Sequence, residues 1–385
     1  MKIEIIGGGP AGLYLAILMK RFDPNHEIRV YERGKPDEYS GWGIVFSGKT
    51  LSSLREADRT SHQQISEQFS AWNGVHVVHK GERIEIGGNH FVGLGRAELI
   101  KILQKRAQEL GVEILFENPI DDPEALRDCD LLVGADGIGS VVRTTYADYF
   151  QPTIRHANNR YIWLGTPQLF HGLTMTFRDS KAGLFASHSY KYSKDMSTFI
   201  VECNRETWDQ ADLDSMDIPT TLSYLAEIFA DDLDGHPLLS HNSKWLRFLV
   251  VKNDNWFHEN VVLLGDALRT AHFSIGSGAK LAMEDSIYLS GCFARETDLP
   301  KALSAFQAGR KPGVDAYQAI ARQSMLWFEN VSTIKDLDPI PFAYENMTRA
   351  GKIDHQELRK RDENFSRLYE DWRKASMANA SKVER

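Results

Sequence analysis

Gly7, Gly9 and Gly12 stand in a G-x-G-x-x-G pattern, and Glu32 follows the last of them by twenty residues. Glycines at this spacing permit a tight turn, close approach of backbone to a pyrophosphate, and tight packing of a helix on a strand. The N-terminus of such a helix offers N–H donors and a partial positive charge to phosphate. An acid at the end of the next strand can accept hydrogen bonds from an adenosine ribose. The chemistry expected is dinucleotide binding, with Pro10 and Ala11 inside the turn and Arg33 directly after the acid. Two further segments pair glycine with aspartate: Asp136-Gly137-x-Gly139-Ser140-x-x-Arg143, and Gly265-Asp266-Ala267 followed by Gly276-Ser277-Gly278. Taken singly, each reads as a turn at a strand end. Arg269 and His272 lie between Asp266 and Gly276 and are the side chains best placed there for charge or acid–base work, with Phe273 beside them.

These residues need elements to hold them. Lys2 to Ile6 is a β-prone run, Leu13 to Lys20 an apolar helix start, and Glu27 to Glu32 a second strand, which together make a βαβ unit. Residues 34–75 read as loops and short helices. A helix is expected from about Gly95 to Leu110, with Ile100, Leu103 and Ala107 on one face and Gly111 ending it. Strands follow at Val112–Phe116 and from Asp130 into Asp136. From about 155 to 252 short strands alternate with turns, which implies an antiparallel layer with a helix at 219–231 attached. Val261 to Asp266 is again a buried strand, and Gly278 to Phe293 a helix. Beyond 300 the pattern is helical, with a polar, frayed end from about 373.

Composition narrows the function classes. Hydrophobic residues at 42% and charged residues at 25% suit a globular chain and exclude general disorder. A net charge of −8 argues against nucleic acid as partner. Cys129, Cys203 and Cys292 are widely spaced, so neither a zinc site nor a disulfide framework is expected, and a reducing cytoplasm fits. No apolar run approaches the ~18 residues of a membrane span.

The order and separation of the three motifs resemble the single-component FAD-dependent aromatic hydroxylases, the p-hydroxybenzoate hydroxylase fold, from residue 1 to about 310. Gly41-Trp42-Gly43-Ile44-Val45-Phe46-Ser47, Tyr161-Ile162-Trp163-Leu164-Gly165-Thr166 and Ala271-His272-Phe273-Ser274-Ile275-Gly276 further resemble one branch. That branch holds salicylyl-CoA 5-hydroxylase, 2-aminobenzoyl-CoA monooxygenase and a violacein-pathway indole hydroxylase. Trp327-Phe328-Glu329-Asn330-Val331 looks closest to the salicylyl-CoA member.

The resemblance implies an α/β protein. A Rossmann-like FAD-binding domain is expected over 1–154 and 253–300, an inserted antiparallel β-sheet substrate layer over 155–252, and C-terminal helices over 301–385. It implies that Gly7, Gly9, Pro10, Ala11 and Gly12 hold the FAD pyrophosphate, and that Glu32 and Arg33 meet the adenosine side. Arg96 would reach FAD near its phosphates. Asp136 and Gly137 would lie near both FAD and the nicotinamide cofactor. Gly265 and Asp266 would meet the ribitol, and the amides of Gly276 and Gly278 the flavin N1/C2=O edge. Arg269 stands where the wider pattern has histidine, and it is expected beside the substrate, or turned toward FAD phosphate or solvent. His272 is expected as a proton shuttle, a substrate hydrogen-bond partner or a loop-fixing residue, with Phe273 on the pocket wall. His188 and Tyr190 belong to the substrate-layer strands. The activity implied is ring hydroxylation with NADH or NADPH and O2 via C4a-hydroperoxyflavin. The substrate would be a small aromatic compound, as a CoA thioester attacked at C5 or as a free aryl or indole compound. A flavoprotein reductase without oxygenation is the alternative outside that chemistry. No metal and no membrane are expected, and the protein is expected to be a monomer or homodimer.

Overall fold

Alternation of buried strands with amphipathic helices sets the first of two compact units. The computed structural model describes residues 1–36, 41–276 and 278–383, apart from the side chains at 48–50 and from 379 onward. Ser277 of the expected flavin loop therefore lies outside the described residues. Unit 1 comprises Met1–Phe69, Leu94–Ala157 and Leu249–Ala319. Unit 2 comprises Ser70–Gly93, Asn158–Phe248 and Ile320–Arg385.

The unit 1 sheet runs Phe257–His258, Val261–Leu263, Leu131–Gly134, Lys2–Ile6, Glu27–Tyr31, Glu113–Leu115. All its pairs are parallel except that of the two-residue strand with its neighbour. Ile3 and Ile5 pair with Ile28 and Val30 on one side and with Leu131 and Val133 on the other. All six side chains are buried, as a parallel sheet covered on both faces requires. Helix Pro10–Phe22 packs on helices Arg96–Glu109 and Gly278–Phe293. Gly111 follows the end of helix Arg96–Glu109 at φ +84°, the left-handed geometry expected of that glycine.

The unit 2 sheet is mixed. Strands Pro152–Thr166, Ser197–Cys203, Gly183–Lys191 and Leu173–Ser180 are successively antiparallel. The last pairs in parallel with Ser70–His79, which forms a hairpin with Glu82–Gly95. This hairpin replaces part of the loop region expected before residue 75. Lys80 (φ 51°) and Gly81 (φ 78°) make its turn, matching the two positive φ values of a type I′ hairpin turn. One sheet face packs Val77, Met175, Phe177, Phe328 and Phe342, and the other Phe185, Phe199, Trp208, Leu225 and Phe229. Helices continue beyond 300 as Leu299–Asn330, Pro339–Thr348, His355–Arg361 and Glu363–Val383. The last runs to Val383 instead of fraying from 373. Its polar residues are helix formers on a solvated face, with an Arg367–Glu363 ion pair one turn apart at 2.9 Å.

Candidate functional site

In unit 1, four of the motif residues stand at the carboxyl ends of neighbouring parallel strands. Gly7 follows Ile6, Glu32 follows Tyr31, Asp136 lies two residues past Gly134, and Asp266 lies three past Leu263. This is the edge where open α/β sheets bind ligands.

The three fingerprint glycines are needed for different reasons. Gly7 has φ +112°, and a Cβ there would lie 2.2 Å from the Ala135 carbonyl oxygen. A Cβ on Gly12 would lie 2.2 Å from the Gly7 carbonyl oxygen, so helix and strand could not approach as they do. Gly9 is different: its φ is −81°, and a Cβ would meet nothing within 4 Å. Protein sterics do not demand glycine there, but a ligand occupying that space would. Gly9 also caps helix Pro10–Phe22 without any side-chain hydrogen bond. Its first-turn amides thus have no intrahelical or capping partner and suit a phosphate.

Glu32 ties this loop down. Oε2 accepts from the Gly8 amide at 2.9 Å and Oε1 from the Gly34 amide at 2.7 Å. Each carboxylate oxygen keeps a lone pair for a ribose hydroxyl. Arg33 is exposed. Glu32→Ala should therefore weaken FAD binding by roughly 1–3 kcal/mol, or about 5- to 150-fold in Kd. Flavin fluorescence titration of the apoprotein measures it, and an unchanged Kd would remove Glu32 from the site.

The two aspartate motifs are joined by residues between them. Asp136 Oδ2 accepts from the Val141 amide at 2.7 Å, and its Oδ1 is buried with no protein donor. Arg143, buried, donates to the Ala267 carbonyl at 2.9 Å and to the Ile138 carbonyl at 2.6 Å. The arginine of the second motif thus braces the third. Asp266 is reached by solvent, yet dense protein around it raises its carboxyl above the ordinary range, while Arg269 and Arg96 pull the other way. Burial lowers the half-buried Arg96, and the Asp266 charge opposes that.

The 269–278 loop opens on Arg269, 2% exposed, whose guanidinium faces Asp285 Oδ2 at 2.5 Å rather than open space. The side chain expected beside substrate or FAD is thus committed to the interior. An unsolvated guanidinium is stable only against such a counter-charge. Thr270 holds the loop to the strand behind it: its Oγ1 donates to Leu249 O at 2.6 Å and accepts from Val251 N at 2.9 Å. His272 Nδ1 lies 2.9 Å from Ser274 Oγ, and the His272 ring centroid is 4.1 Å from that of the half-buried Phe273. A 3-10 turn over Phe273–Ile275 ends at Gly276, φ +58°, and helix Gly278–Phe293 follows. A Cβ on Gly278 would meet nothing within 4 Å.

Unit 2 contains a second polar cluster. His188 Nε2 lies 2.7 Å from Glu202 Oε1, and Asn159 Nδ2 donates to Glu202 Oε2 at 2.8 Å, all three residues buried. Burial lowers the Arg349 guanidinium to about 10, with Glu202 opposing the shift. The cavity beside Glu202 and Phe328 measures about 10 Å³, room for one water and not for an aromatic ring. Glu202, Asn159 and Arg349 were not among the expected site residues.

The glycine loop, the open space at Gly9 and the strand-end acids fit an FAD nucleotide. Residues 1–317 match the family model described as FAD binding domain. The chain belongs to that family. It is 38% identical, over 97% of its own length and 74% of the relative's, to a salicyloyl-CoA 5-hydroxylase of Streptomyces sp. It is 34% identical to a 3-hydroxy-4-methyl-anthranilyl-[aryl-carrier protein] 5-monooxygenase of Streptosporangium sibiricum, over 93% of this chain and 97% of that one. The crystal structure of P. aeruginosa PqsL in complex with 2-aminobenzoylacetate superposes with a TM-score of 0.71 at 19% identity. The match covers 87% of this chain and 98% of that one, which establishes a shared fold. This family member is a flavoprotein monooxygenase with FAD as cofactor and NAD(P)H as co-substrate. Among its described residues no helix is long and apolar enough to cross a membrane, and no group of His, Cys, Asp and Glu is placed to hold a metal ion.

Proposed function

We propose that this monooxygenase hydroxylates an ortho-substituted aromatic acid carried as a thioester, at the ring carbon para to its hydroxyl or amino group. The observation that carries this reading is the match, over nearly the whole chain, to a 5-hydroxylase of a CoA-bound salicylate. A second relative named as a 5-monooxygenase of a carrier-bound anthranilate supports the same ring position and the same thioester handle. It also favours a second reading, in which the thioester is borne by a carrier protein.

In this reading Gly7, Gly9 and Gly12 seat the FAD pyrophosphate at the amides of helix Pro10–Phe22. Glu32 accepts from the ribose, Asp266 from the ribitol, and Arg96 answers the phosphate charge. Asp136 and Gly137 shape the adjoining turn. Bound FAD supplies the reducible ring that takes hydride from NAD(P)H and activates O2. The chain's own work is placement and electrostatics. The amides at Gly276 and Gly278, with the helix dipole behind them, stabilise negative charge at the flavin N1/C2=O edge. His272 accepts or holds a proton near the ring substituent, and Phe273 walls off water so that reducing power reaches substrate. His188 and Tyr190 stand, both buried, on strand Gly183–Lys191 of the unit 2 sheet.

The test is anaerobic flavin reduction, then O2 consumption, with salicylyl and 2-aminobenzoyl compounds as free acids, as CoA thioesters and on a carrier protein. The expected outcome is that a thioester accelerates NAD(P)H-dependent flavin reduction at least tenfold over the free acid. Its product should gain one oxygen atom at C5. Faster reduction with free acids or indoles would overturn the thioester reading. Full NAD(P)H oxidation with every compound and no oxygenated product would overturn hydroxylation.

A further inference from the structure

Asp285 is fully buried in the second turn of helix Gly278–Phe293 and sits between two arginines. Arg269 Nη2 reaches its Oδ2 at 2.5 Å, and Arg310 Nε reaches its Oδ1 at 3.0 Å. Arg310 Nη2 also reaches Glu284 Oε2 at 3.1 Å, and Lys280 lies 3.8 Å from that carboxylate's other oxygen. At its loop end, Arg269 donates its main-chain N–H to the Gly265 carbonyl at 2.9 Å. Its Nη1 approaches the same oxygen at 3.4 Å. The chain between Arg269 and Gly276 is irregular, with one 3-10 turn and a left-handed glycine at its end. The ion pair thus ties the start of this loop to the helix that follows it.

We propose that Arg269, Asp285 and Arg310 form a clasp that fixes the 269–276 loop in the geometry favouring reduced over oxidised FAD. This rests on the FAD placement proposed above, with the Gly276 and Gly278 amides at the flavin N1/C2=O edge. Two electrons and one proton convert the bound ring to its reduced anion. Donors fixed in place beforehand favour that anion more than donors that must first be ordered. Arg269 is then a positioning residue that acts through the loop and not by touching substrate. Arginine suits the role because its rigid fork meets a carboxylate and a carbonyl together.

The test is the two-electron midpoint potential of bound FAD, with oxidised-FAD affinity measured in parallel. Arg269→Gln removes a positive charge and Asp285→Asn removes a negative one. Charge alone would move the potential in opposite directions. A positioning clasp moves both the same way, lowering the reduced-to-oxidised affinity ratio about tenfold, which is ~30 mV more negative for a two-electron couple. Arg269→Lys keeps the charge without the fork and should fall between wild type and Arg269→Gln. Should a buried variant not fold, Arg310→Gln, at the more exposed end, carries the test with a smaller shift of the same sign. Shifts of opposite sign, or an unchanged potential in a folded variant, would overturn the clasp. Wild-type protein that binds no FAD would instead overturn the placement beneath it.

Discussion

Gly9→Ala is expected to yield a protein that folds at least as well as wild type and carries no flavin. The two halves of that result have separate causes. Gly9 sits at φ −81° and ψ −178°, a conformation any residue adopts, and its Cβ would touch no protein atom within 4 Å. Replacing glycine at such a position removes freedom from the unfolded chain and stabilises by about 0.4–1 kcal/mol. In the proposed FAD placement the same methyl group would project into the space of the pyrophosphate at the amides of helix Pro10–Phe22. A loss of at least 100-fold in FAD affinity, about 2.7 kcal/mol, is expected. Gly7→Ala is the contrasting case. Its Cβ would lie 2.2 Å from one backbone atom and 2.8 Å from the next residue's Cα, at φ +112°. Neither neighbour is a side chain that can turn away, so a loss on the order of 3–5 kcal/mol in stability is expected. Thermal unfolding of the two apoproteins, set beside flavin retention after gel filtration, separates the cases. If Gly9→Ala retains its FAD, the phosphate does not pass Gly9.

The contrast also shows what the sequence could and could not convey. The strand ends were legible because glycine and acid spacing encodes backbone geometry. Gly7, Glu32, Asp136 and Asp266 follow the ends of neighbouring strands of one sheet. The hairpin of Ser70–His79 and Glu82–Gly95 was hidden by its glycines and charges. Gly74, Gly87, Gly88 and Gly93 interrupt the apolar run, and Arg83 and Glu85 occupy the outward positions. Its Lys80-Gly81 turn between Val75, Val77 and Ile84, Ile86 was the available signal. The direction of Arg269 was not legible. Its partner Asp285 is sixteen residues on, beyond an irregular loop, and no spacing rule relates the two. The His188–Glu202 contact depends on register: His188 pairs with Ile200, so Glu202 is its diagonal neighbour across the strand pair.

Asp266→Asn should stabilise the apoprotein at neutral pH while damaging the holoenzyme. The protein packed around Asp266 raises its carboxyl above its unfolded value, with Arg269 and Arg96 partly offsetting that effect, and because solvent reaches the side chain the cost to stability is small. A carboxyl whose folded pKa is raised costs stability once it ionises. Its contribution is fully present below the unfolded pKa and is lost as pH rises through the folded one. At neutral pH the apoprotein therefore bears that cost, and asparagine, which cannot ionise, removes it. The melting temperature of Asp266→Asn should exceed that of wild type at pH 7, with the gap closing as pH falls below the ordinary aspartate range. Function should move the opposite way. A carboxylate accepting from a ribitol hydroxyl contributes about 1.5–3 kcal/mol, so FAD affinity should drop roughly 10- to 150-fold. A ring no longer held in register should divert NAD(P)H oxidation to hydrogen peroxide, because a placement error of about 1 Å suffices to spoil a transfer. The measurements are melting temperature against pH without flavin, and the ratio of peroxide to hydroxylated product with it. A variant that is stabilised and still fully coupled would show that Asp266 is strained for some purpose other than holding the ribitol. One that is destabilised at neutral pH would show that its carboxylate supports the fold through Arg96 and Arg269, and is not a cost carried for the cofactor.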